Sequence, residues 1–188
     1  MKPILFNTAM VRAILDGRKT VTRRLIKNAP ENVYPGKCLL GAGLFDRETG
    51  LRVVSPQYKP GEILYARETW AKNVYGTGSP YFYKASPETY EYDPDRWYPS
   101  IHMPKEAARI FLRVTNVYVE RLQDITADEI RAEGLTSMCA MVGDMEIASQ
   151  EWRNLWDSTI KKADMPLYGW DANPWVWVIE FERTSEFK

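Results

Sequence analysis

The sequence predicts an α+β fold, and three observations carry that expectation. Residues 110–122 and 175–181 alternate apolar and polar side chains at the two-residue period of a strand. Residues 124–134 and 145–160 repeat apolar side chains at helical spacing, the first of them behind a capping signature. The intervening stretches are rich in proline and glycine, which suits turns and long loops.

In chain order, residues 4–6 form a short apolar strand. Thr8 can cap a helix carrying Met10, Val11, Ile14 and Leu15 on one face, and Gly17 stands where a left-handed stop is needed. Thr20, Val21, Thr22, Leu25 and Ile26 are mostly β-branched or aliphatic, so a strand follows. Residues 27–61 are broken by proline and glycine and carry a weak strand pair, 38–44 with 51–55. A buried strand over 61–70 ends in Glu68 and Trp70, and residues 71–104 are loop apart from a strand at 81–84. Along 110–122 the apolar phase slips at Asn116, which predicts a bulge. Thr126 and Glu129 make a capping box, with Ile125 set to pack on Ile130, and Gly134 stops that helix. Residues 138–144 read as loop, and the helix over 145–160 aligns Ala148, Trp152, Leu155, Trp156 and Thr159 as a core stripe. A closing strand over 175–181 completes the chain.

Composition narrows the function classes. A chain of 188 residues fits one domain and is long enough to bury roughly 70% of its unfolded surface. Lys plus Arg equals Asp plus Glu at 25 each, so a broad phosphate-tracking surface is not expected and any nucleic-acid contact is local. Two isolated cysteines, Cys38 and Cys139, and no apolar run of membrane length point to a cytoplasmic protein without disulfides. His102 is the only histidine, which rules out a multi-histidine metal site, and no phosphate-cradling glycine motif is present. Neither metal nor cofactor is expected. Trp70 and Trp97, set among polar residues, are the candidate base-stacking aromatics.

The chemistry concentrates in residues 17–24, where a helix stop meets a strand start among two threonines and four cations: Arg18, Lys19, Arg23 and Arg24. A threonine hydroxyl attacks only if a base takes its proton, and a lysine serves as that base only when desolvation or neighbouring cations lower its pKa from about 10.4. In a regular strand Lys19 and Thr22 would face opposite ways, so a shared site needs a bend at the strand start. Glu133, in the last turn before Gly134, is disfavoured by the helix dipole, a broken rule that a nearby cation would turn into a site. Read alone, the same residues are a solvated basic corner and an exposed carboxylate.

At these residues the sequence resembles the ASCH domain of the PUA-like superfamily. The run Gly17, Arg18, Lys19, Thr20, Val21, Thr22, Arg23, Arg24 is similar to that family's basic motif after a short helix. The turn and strand at 60–65, the long strand at 110–122 with its capped helix, and the closing strand continue the likeness. The resemblance implies a PUA-like mixed β-barrel with peripheral helices and long inserted loops, one domain over 1–188 with insertions at about 27–58, 71–104 and 138–168. Small ASCH proteins include N(4)-acetylcytidine amidohydrolases, and carried over by motif position Lys19 would be the base, Thr22 the nucleophile and Glu133 the proton donor. Arg18, Thr20, Arg23, Arg24, Glu68 and Trp70 would line the substrate. The greater length is more like the phage and prophage members. Two functions stay open at this point, a hydrolase of an acylated nucleoside and a non-catalytic module that grips RNA or a modified base. An interaction protein with a vestigial pocket is the third and blandest reading.

Overall fold

The computed structural model describes residues 1–39, 41–74, 78–86, 94–135 and 145–185. Its main sheet has five strands in the order β1 (Lys2–Leu5), β6 (Ile63–Arg67), β9 (Phe111–Arg121), β10 (Trp175–Thr184), β2 (Val21–Leu25). The β1–β6 pair is parallel and the other pairs are antiparallel. A meander of β3 (Val33–Cys38), β4 (Gly41–Asp46) and β5 (Arg52–Val54) forms a second sheet, and β7 (Trp70–Lys72) pairs with β8 (Tyr81–Tyr83). The fold is therefore mixed α+β with several sheets. Strands β1 and β2 are the edges of the main sheet, and among the described residues no pairing closes it into a barrel.

Among the described residues four α-helices flank these sheets: α1 (Thr8–Leu15), α2 (Ala127–Ala132), α3 (Met145–Thr159) and α4 (Met165–Tyr168). The cap of α1 is Asn7, not Thr8, because the Asn7 side chain is the one that accepts from the Met10 amide, at 2.9 Å. The capping box of α2 is as expected, with the Thr126 amide donating to Glu129 at 2.8 Å.

Strand β10 has both faces buried. Trp177, Ile179 and Phe181 join a core with α1, β1, β6 and the meander, while Val176 and Val178 join a second core with Ile130 of α2 and Ala148, Trp152 and Trp156 of α3. The bulge predicted near Asn116 has a clear purpose. Glu180 faces Asn116 and Phe181 faces Val114, so Thr115 is the extra residue. Without it Val117 and Val119 would point away from the core that holds Leu112 and Val114, since one residue of slip reverses the faces of a strand.

The meander exceeds the expected strand pair. Strand β3 includes Pro35 and Gly36, which a sheet tolerates at an edge because proline cannot donate to a ladder. The segment after β6 builds a small cluster of its own from Trp70, Tyr83, Met103 and Ala107. The loop expected at 138–144 lies outside the described residues. No helix among the described residues is long and apolar enough to cross a membrane.

Candidate active site at the junction of two helix ends

Gly17 ends α1 at φ +76°, a value that glycine adopts without strain, and the chain doubles back so that the Arg18 and Lys19 amides both donate to the Ala13 carbonyl, at 2.9 and 3.0 Å. The Thr20 amide then donates to the Ala132 carbonyl at 2.9 Å, which ties this corner to the end of α2. Gly134 makes that approach possible. A Cβ added there would lie 2.7 Å from the Ala13 Cβ and 3.1 Å from the Lys19 Cβ, and its φ of +93° disfavours any other residue.

The two helix ends bury Lys19 against Glu133, with side chains only 1% and 3% exposed. Lys19 Nζ donates to Glu133 Oε2 at 2.5 Å, to the Glu133 carbonyl at 2.9 Å and to the Val21 carbonyl at 2.8 Å. The bend required by strand alternation is thus supplied, because Lys19 precedes β2 and its stem curls along the strand. The cation also meets the carboxylate and a terminal carbonyl of α2, which resolves the unfavourable position of Glu133. Burial lowers the Lys19 pKa below its ordinary 10.5, Glu133 opposes that shift, and the nearby Arg24 and Arg23 add to it.

Arg23 has no exposed side-chain surface and is surrounded by carboxylates. Its Nε donates to Glu120 Oε1 at 2.8 Å and its Nη1 to Glu133 Oε1 at 3.3 Å. Nη2 stands 2.6 Å from Glu120 Oε1 and 3.3 Å from Glu129 Oε1 without an aligned hydrogen bond, and the guanidinium lies 5.9 Å from the Trp152 ring centroid. Burial works against the charge, but Glu133, Glu120 and Glu129 outweigh it and raise the pKa. Arg24 differs: it donates to the Leu5 carbonyl at 2.8 Å and lies 5.3 Å from the Phe6 ring centroid, with no carboxylate in ion-pair contact among the described residues.

A cavity of about 670 Å³ opens on this corner. Lys19, Thr22, Glu133, Arg23 and Arg24 all line it, so the three candidate catalytic residues share one wall with two of the candidate binding residues. The Thr22 side chain makes no hydrogen bond to a described residue, and Thr22 is 3% exposed overall. The other candidates lie elsewhere. Arg18 bonds the Gly134 carbonyl and Asp16, Thr20 lines a separate cavity of about 250 Å³, and Glu68 is held by Arg109 at 2.8 and 2.9 Å. Trp70 is buried 5.3 Å from Tyr98, ring centroid to ring centroid, and neither it nor Trp97 is on the cavity wall.

Several wall residues were not singled out by sequence. Trp152, Leu155, Trp156 and Thr159 of α3 also line the cavity, and Phe6 lies under both Lys19 and Arg24. The apolar stripe of α3 was legible, but a stripe does not distinguish core from cavity wall. Pro99 and Ser100 line the cavity from the 71–104 insertion, of which residues 75–77 and 87–93 lie outside the described residues. No group of three His, Cys, Asp or Glu side chains that could hold a metal occurs among the described residues.

Neither a family model nor a curated protein matches the chain. Among solved structures it is similar to protein EF3133 from Enterococcus faecalis V583, of family model DUF984, at 11% sequence identity and a TM-score of 0.48, over 98% of this chain and 81% of that one.

Proposed function

We propose that this chain is a metal-independent amide hydrolase acting on an acylated nucleoside such as N(4)-acetylcytidine, with an ASCH-type site. The observation that carries the reading is the 2.5 Å contact between Lys19 Nζ and Glu133 Oε2 on the wall of a cavity that Thr22 also lines. Transfer of one proton across that contact turns the ion pair into a neutral amine and a protonated carboxyl, which are the base and the acid that amide cleavage needs. Burial favours the neutral amine on Lys19, against the pull of the Glu133 charge.

Thr22 Oγ1 attacks the acyl carbon as its proton passes to Lys19 Nζ. The C–N bond then breaks, and the leaving nitrogen takes the proton held by Glu133. The products at this stage are the free amine and an ester on Thr22. Water cleaves the ester, giving one proton to Glu133, while Lys19 returns its proton to the Thr22 oxygen. Arg23 braces Glu133 from the other oxygen and so orients the acid.

One observation favours the alternative, a non-catalytic module for RNA or a modified base. All three Lys19 ammonium protons have acceptors, and Trp152 and Trp156 offer a stacking wall that needs no chemistry. Incubating purified, metal-free protein with N(4)-acetylcytidine and following cytidine by chromatography separates the two. Turnover that Thr22→Ser retains in part and Thr22→Ala abolishes supports the hydrolase. Binding without turnover, weakened by Lys19→Met and unaffected by Thr22→Ala, supports the module.

A further inference from the structure

The charges along the cavity are uneven. Its wall carries five cations, Lys19, Arg23, Arg24, Lys27 and Lys161, against two carboxylates, Glu133 and Asp164. Lys19 and Arg23 are neutralised by Glu133, Glu120 and Glu129. Arg24, Lys27 and Lys161 have no ion pair among the described residues, nor does Asp164, so these four side chains leave the cavity wall with two net positive charges. A chain with equal numbers of acidic and basic residues does not produce such a field by general basicity.

The fold sets where the backbone carries these three cations. Arg24 is in β2, and Lys27 follows two residues after that strand ends. Lys161 follows α3, in a segment joined to the end of β2 by the Tyr168 hydroxyl, which donates to Asn28 Oδ1 at 3.0 Å. At about 3.3 Å per residue, Arg24 lies roughly 7 Å along the strand from Thr22. Burial holds the Arg24 pKa below its ordinary 12.5 against the pull of Glu133, so its charge lacks a close counterion. An anion arriving there would supply one.

We infer that Arg24, Lys27 and Lys161 form a phosphate subsite of this cavity, so that the 5′-monophosphate of the nucleoside is bound in preference to the nucleoside itself. A phosphate monoester carries about −1.5 to −2 charges at pH 7, which matches the local excess. Arg24, Lys27 and Lys161 would hold it, and Trp152 and Trp156 on the same cavity wall offer the base an aromatic surface. The inference rests on the proposed function for the orientation of the base, while the phosphate contact is read by affinity alone.

The experiment is a tryptophan-fluorescence titration of the full chain with cytidine 5′-monophosphate, cytidine, inorganic phosphate and a short oligocytidylate. The monophosphate should bind at least about tenfold more tightly than cytidine at about 50 mM salt, an advantage that shrinks at about 500 mM, and inorganic phosphate should compete. In Lys27→Gln/Lys161→Gln, two exposed positions, the ratio of the two affinities should fall towards one. Equal affinities in the wild type overturn the inference, as does no binding at all. An oligonucleotide that outcompetes the monophosphate overturns it in favour of a polymer ligand. Acetylcytidine turnover without a phosphate preference removes the subsite and keeps the hydrolase, and a phosphate preference without turnover does the reverse.

Discussion

Replacing Glu133 with Gln tests the buried pair through stability, independently of any substrate. Glu133 is the carboxylate in ion-pair contact with Lys19, whereas Arg23 also has Glu120 and Glu129. The substitution therefore leaves Lys19 as a buried cation without a counterion, a change that typically costs about 3–5 kcal/mol. Deprotonation of Lys19 limits the loss. Relative to its ordinary pKa of 10.5, a neutral amine at pH 7 costs at most about 4.8 kcal/mol, at about 1.36 kcal/mol per pH unit. For a chain of this length the melting temperature should fall by about 6–20 °C. In the variant the folded state has lost the Lys19 proton while the unfolded state keeps it up to 10.5, so stability rises with pH in that range. The deficit against wild type should therefore shrink as pH rises from 7 to 9, by up to about 2.7 kcal/mol where the wild-type pair keeps its proton. The assay is urea denaturation at both pH values, with Lys19→Met/Glu133→Gln as the control that recovers most of the loss. A deficit below about 1 kcal/mol that does not change with pH would refute the reasoning, because it would mean that water reaches the pair.

Other predictions follow from the same contacts. Gly134→Ala should cost about 1–3 kcal/mol by chemical denaturation and lower turnover more than that loss implies, since the new Cβ meets Ala13 at 2.7 Å and Lys19 at 3.1 Å. Turnover needs one proton on the Lys19–Glu133 pair, so kcat should fall on the alkaline side at a pH below the ordinary lysine value of 10.5, and a flat profile to that value would contradict the role. Glu129 is partly buried, which disfavours its charge, yet bonds from the Thr126 amide, the Thr126 hydroxyl and the Tyr118 hydroxyl hold its pKa below 4.5. Its stabilising contribution is complete above 4.5 and is lost as pH falls through the folded value, so Glu129→Gln should flatten the acid limb of a stability–pH curve.

Much of the fold was legible because local signals agreed with tertiary structure. The Thr126–Glu129 box, the slip at Asn116 and the alternation of β10 are each decided by near neighbours. The local rule broken by Glu133 at a helix end implied a neighbouring cation, and the structure places Lys19 there. What escaped depends on distant partners. Arg23 reads as one more basic residue until Glu120, Glu129 and Glu133 are folded around it. Glu68 reads as a substrate-lining carboxylate, and only the structure joins it to Arg109. Asn7 and Thr8 are both competent caps, and the choice falls to whichever side chain meets the Met10 amide.

Detection of the ester intermediate is the most direct test of the hydrolase account. Metal-free protein mixed with N(4)-acetylcytidine, quenched in acid during turnover and digested, should yield a peptide bearing one acetyl group on Thr22. The signal should be absent from Thr22→Ala and from Lys19→Met. Cytidine released at the wild-type rate with no acetyl on Thr22, or no release from wild type at all, would contradict it.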